Sequence, residues 1–184
     1  MLSTSSRPRK AFGASSLSLA AIAVGLLVAA APGAGAAGAV ASSTPRCSTS
    51  GLDIWFEPEI GGGTAGSVFY RFQLTNLSAH RCTLTGYPKV FAATLAGQRF
   101  GSAAAHEAAG PPHTVSLAVG ASASALVRVA EAGNFSPSDC HPRTAAGFRV
   151  SPPGQTASRF VPFPFEACAR AGHSNLSIRA VKRE

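Results

Sequence analysis

From Leu52 onward, the apolar residues of this chain recur at every second position, and that period limits it to strands. Leu52, Ile54, Phe56 and Ile60 alternate with Asp53, Trp55, Glu57 and Glu59. In residues 67–76, Val68, Tyr70, Phe72 and Leu74 share one side, and Phe69, Arg71, Gln73 and Thr75 share the other. Successive side chains of an extended chain point to opposite faces, so this pattern builds half-buried strands. No segment of the same region carries a helical stripe. Further strands are expected at 89–95, 98–102, 114–117, 121–130, 147–151 and 176–181. Gly61-Gly62-Gly63, Asn76-Leu77-Ser78, Ala96-Gly97 and Gly120 supply turns. Residues 103–112 and 160–165 read as irregular, because alternating Pro is barred from a central strand. Short strands with this punctuation predict an all-β fold, an antiparallel two-sheet sandwich of Ig-like architecture. A small barrel is the rival. Trp55 follows Cys47 by only eight residues, so the immunoglobulin Cys–Trp–Cys spacing is absent.

The amino-terminal residues have a different character. Arg7, Arg9 and Lys10 precede an uninterrupted apolar or small run from Leu17 to Ala31, then small residues to Ala41. That order matches a secretory signal peptide. The run is shorter than the roughly 20 strongly apolar residues that span a bilayer, so a permanent membrane anchor is not expected. Cleavage after Ala41 is preferred over Ala36, giving a leader at 1–41 and one domain at 42–184. Thr44-Pro45-Arg46 before Cys47 does not suit lipidation, and Arg7-Pro8-Arg9 is not a twin-arginine pair. Release outside the cell is the expectation.

Export bears on the cysteines. Cys47, Cys82, Cys140 and Cys168 all lie beyond the leader, and an even count in an exported chain reads as two disulfides. Three pairings are open. The sequential loops, Cys47–Cys82 and Cys140–Cys168, are preferred. No pair has the short C-x-x-C spacing of a zinc site.

Charge narrows the partners. The chain has 16 basic and 8 acidic side chains; the leader removes three basic ones, leaving a net +5. The excess contains no basic run with interleaved aromatics, so no nucleic-acid partner is expected. Loose attraction to an anionic envelope polymer fits the sign. Thirteen Arg against three Lys, with abundant Ala and Gly, suggests a GC-rich genome.

Several motifs then recur in a familiar order. They are Leu74-Thr75-Asn76-Leu77-Ser78, Cys82-Thr83-Leu84-Thr85-Gly86-Tyr87-Pro88 and Ala96-Gly97. Leu117 to Ala123, Cys140-His141-Pro142 and Phe148 to Gly154 follow. Together they resemble the actinobacterial domain of unknown function numbered 4232, over nearly all of residues 47–181. Val119 departs from the Pro that members usually carry before the Gly, which touches a turn. The resemblance implies export and a β-sandwich, and it carries no activity.

The most suggestive polar feature is the outer side of the first strand. Asp53, Trp55, Glu57 and Glu59 share it at period two, although Pro58 interrupts. An indole stacks on the C–H face of a sugar, and carboxylates accept its hydroxyl protons. The plainer reading is a solvated face. Glu57 and Glu59 stand roughly 7 Å apart on a strand, within glycosidase range, but neighbours on one exposed face seldom bracket a substrate.

The five histidines, His80, His106, His113, His141 and His173, lack close spacing. A metal site would need the fold to unite His106, Glu107 and His113, and surface roles are the simpler reading. No Met remains beyond the leader to form a Met-type copper site. There is no G-x-S-x-G elbow, and Gly61-Gly62-Gly63-Thr64 lacks the ending of a phosphate loop. Asn76, Asn134 and Asn175 head N-x-S triplets, read here as turn residues. Phe160–Phe165 is read as closing one end of the sandwich rather than as an exposed partner patch. The expectation is an exported, monomeric, non-enzymatic binding or structural module at or outside the cell envelope, without cofactor or metal. The alternative is a carbohydrate-binding or carbohydrate-active protein built on Asp53, Trp55, Glu57 and Glu59.

Overall fold

This computed structural model describes residues 43–184, apart from the side chains of residues 58–62. The leader assigned to residues 1–41, with its cleavage sites, lies outside the described residues. So does the side chain of Glu59. In chain order the strands are β1 (Leu52–Thr64), β2 (Ser67–Asn76), β3 (Cys82–Thr85) and β4 (Lys89–Ala93). Then come β5 (Arg99–Phe100), β6 (Ala105–His106), β7 (Thr114–Leu117) and β8 (Ser122–Ala130). The last are β9 (Pro142–Ser151), β10 (Arg159–Cys168), β11 (Leu176–Ile178) and β12 (Lys182–Arg183). One helical turn, α1 (Pro137–Cys140), starts on Ser136, whose hydroxyl accepts from the Asp139 amide.

The chain is all-β. One sheet runs β1-β2-β8-β11-β6, with β12 also pairing β8; a second runs β10-β9-β4-β5; β3 and β7 form a separate pair. Every pairing is antiparallel except β11 with β6. The two larger sheets share one core. Leu52, Ile54, Phe72, Leu74, Ala123, Ala125 and Val127 enter it from the first sheet. Val90, Phe148, Val150 and Val161 enter from the second, and Leu84, Val115 and Leu117 from the β3–β7 pair. Burying these alternate positions drives the sheets together, at roughly 25 cal/mol per Å² of apolar surface.

The strand period locates β1, β2 and β8 well, and several other expectations need correction. Residues 160–165 are not irregular: they lie within β10. That strand is at the edge of its sheet, where Pro162 and Pro164 remove no central ladder bond, and its register shifts between Pro162 and Phe165. The triple glycine does not end β1. The strand continues to Thr64, with a register shift between Pro58 and Gly63. β3 has only four residues and falls below what an alternation pattern resolves. β9 begins at Pro142, five residues before its expected start. The hairpin after β4 turns at Leu95-Ala96, closed by the Gly97 amide on Thr94 O at 2.8 Å, with Gly97 at φ 73°. Within 103–112, β6 pairs two residues in parallel with β11.

Two disulfides fasten the sandwich: Cys47 to Cys82 and Cys140 to Cys168, the two sequential loops. The open side between β1 and β10 is filled by rings. Phe163 of β10 lies 4.3 Å from Phe56 and 4.9 Å from Tyr70, centroid to centroid, and Phe165 stacks on Phe148 at 4.4 Å.

Candidate binding face

The outer side of the first sheet is set by register. Trp55 stands opposite Gln73, Gln73 opposite Ser124, and Ser124 opposite Lys182. Asp53, Thr75 and Ser122 form the next row, and Glu57, Arg71 and Leu126 the row on the other side. Directly opposed residues of antiparallel strands point the same way. Trp55 therefore projects from a polar surface, between Asp53 and Glu57, with 45% of its area exposed. Burying its neighbours Leu52, Ile54 and Phe72 inward forces this side chain outward.

The carboxylates here have distinct surroundings. Glu57 Oε2 accepts from Gln73 Nε2 at 3.0 Å and lies 3.9 Å from Arg71 Nη1. Asp53 is exposed. The Thr75 and Ser122 hydroxyls meet at 2.8 Å beyond it. The carboxyl of Glu184 lies against this surface, and Gln73 and Ser124 beside it hold it below its ordinary range. The result is a ring system set among donors and acceptors.

The remaining sequence candidates are placed elsewhere. The ring of His106 stacks on Tyr87 with centroids 4.1 Å apart. Glu107 accepts from Ser177 Oγ at 2.9 Å and from Arg179 Nε at 2.8 Å, so it closes β6 onto β11. The Arg179 bond holds its carboxyl below the usual value. Among the described residues no group of three His, Cys, Asp or Glu is placed to hold a metal ion. No described helix is long and apolar enough to cross a membrane.

Sequence reasoning undervalued two of the N-x-S asparagines. Asn76 is fully buried, and its Nδ2 donates to the carbonyls of His80, Leu117 and Ala118 at 2.9–3.2 Å. Its Oδ1 accepts from the amide and hydroxyl of Ser78. Asn175 likewise joins Cys168, Ala130 and Glu166. The available signal was position: each Asn ends or precedes a strand where loop carbonyls need donors.

A family model described as "Domain of unknown function (DUF4232)" matches residues 47–182. No curated protein and no solved structure matches the chain.

Proposed function

The chain belongs to the DUF4232 family, and from that premise we propose that it is an exported, non-enzymatic module that binds a partner at or outside the cell envelope. The observation carrying this reading is the open Trp55 surface, where the neighbouring Glu57 is bonded to Gln73 and lies near Arg71. Two disulfides and a leader-like amino terminus support an oxidising compartment. A sandwich face with a half-exposed indole among hydroxyl, amide and carboxylate groups suits adhesion better than bond cleavage. A carbohydrate is the partner that these groups favour, through C–H stacking on the indole and hydrogen bonds to Asp53, Thr75 and Ser122.

A glycan array and a peptidoglycan pull-down test this reading. Trp55→Ala should lower retention at least about fivefold, about 1 kcal/mol, with the melting temperature unchanged. Retention that is indifferent to Trp55 would remove this face as the contact. Hydrolase activity lost on Glu57→Gln would replace the binding reading with an enzymatic one.

A further inference from the structure

The second sheet carries an outer face of different chemistry. Its central row is Phe160 of β10, Arg149 of β9 and Phe91 of β4, neighbours across three strands. Lys89 lies two residues from Phe91 on β4, and Arg99 of β5 pairs with Ala93. The Phe91 ring seats two of these cations: Lys89 Nζ is 5.5 Å from its centroid and the Arg99 guanidinium 4.9 Å. Arg149 is fixed at both ends, Nε donating to Gly97 O at 2.8 Å and Nη1 reaching Ser158 O at 3.5 Å. Two glycines let the groups lie flat. A Cβ at Gly97 would meet Arg149 Nη2 at 2.7 Å, and one at Gly147 would press the Phe160 ring at 3.0 Å.

Among the described residues no ion pair engages Lys89, Arg99 or Arg149. None of the eight acidic residues falls within 82–102 or 141–165, the segments that build this face. The one acid in the strands of this sheet is Glu166. It lies beyond the β10 shift, in a hollow with Tyr70 and Glu131. Asp53 and Glu57 lie on the other sheet. A fixed guanidinium between two aromatic side chains, with two further cations at one end and no anion, is complementary to a linear polyanion.

We propose that this face docks an acidic polysaccharide, one whose pyranose rings bear carboxylates. A ring stacked on Phe160 puts its carboxylate beside Arg149, one strand spacing of about 4.8 Å away. The next acidic residue of the polymer then meets Lys89 and Arg99 around Phe91, about two to three strand spacings from Phe160. A guanidinium donates to carboxylate oxygens, and the planar head of Arg149 is already immobilised here by Gly97 O and Ser158 O. A nucleic acid needs a broader cationic footprint than three side chains. The inference rests on the extracellular reading above but uses a separate surface, so the two fail separately.

The test is binding of the oxidised chain, from an exporting host, to immobilised polygalacturonate at about 0.15 M salt. Fully methyl-esterified polygalacturonate, poly(glycerol phosphate) and duplex DNA serve as the other arms. Binding should be strongest to polygalacturonate and vanish on its methyl ester. Arg149→Gln should weaken it at least about tenfold. Lys89→Gln with Arg99→Gln changes only exposed side chains and should do the same, even if the Arg149 variant is unstable. Phe160→Ala should weaken binding several-fold, and Trp55→Ala should leave it unchanged. Equal binding to the methyl ester would overturn the proposal, as would indifference to the Lys89/Arg99 pair. Tighter binding to DNA or poly(glycerol phosphate) would assign the face to another polyanion and overturn it too.

Discussion

Asn76 shows what a single side chain does in a fold of short strands. Where β2 ends, carbonyls from two other segments turn inward toward Asn76. One amide donates to three of them and accepts twice from Ser78. Removing it leaves several buried groups unpaired, so Asn76→Ala should destabilise by about 2–4 kcal/mol, read by denaturant unfolding. A loss within about 0.5 kcal/mol would show that water replaces the amide. Asn76 was readable as a turn residue, yet nothing local reveals that it spans from His80 to Ala118. Glu107 adds a pH signature. Its bond from Arg179 depresses its carboxyl below the ordinary 4.5. The stabilisation is therefore complete above that value and fades as acid passes the lower value in the fold. Glu107→Gln should cost about 1 kcal/mol at neutral pH, and the gap from the native chain should narrow as the pH falls below 4.5. Melting curves across that range check it; a gap independent of pH would contradict the ionic account.

Among the elements, β10 is the instructive one. The sequence rule against proline in a central strand is sound, and β10 obeys it by lying at the sheet edge. What the sequence did not disclose is that an edge was available there, since edges are a property of strand order. Pro162 and Pro164 also leave that edge unable to accept another strand cleanly. Pro162→Thr with Pro164→Thr should raise self-association, seen as concentration-dependent mass in light scattering. No change in mass would mean that the bulge alone protects the edge. Phe163 closes the sandwich against Phe56 and Tyr70. Phe163→Ala should cost about 2–4 kcal/mol in chemical denaturation. The alternation of β1, β2 and β8 was legible because each spans nine or more residues with one face in the core. β3 and β6 are four and two residues long and are held by neighbours, so no periodicity could announce them.

At the scale of the molecule, two sheets share a core but differ outside it. The first presents Trp55 with carboxylates and hydroxyls; the second presents Arg149, Arg99 and Lys89 with phenylalanines. The Trp55 side was visible in the sequence, because its residues alternate along one strand. The basic side was not, because Arg149 lies some fifty residues beyond the hairpin that carries Lys89 and Arg99 and meets them only through pairing. Both disulfides close loops, with partners 35 and 28 residues apart. Each should stabilise by about 3–4 kcal/mol. Reduction should therefore lower the melting temperature by tens of degrees or unfold the chain, as followed by circular dichroism. An unchanged melt would show that the core suffices alone. The central claim, a surface that binds without cleaving, is tested most directly by incubating the oxidised protein with purified cell wall. Bound protein and newly released reducing ends are measured together. Retention should fall with Trp55→Ala, with no reducing ends above the protein-free control. Sugar release that disappears with Glu57→Gln would contradict it.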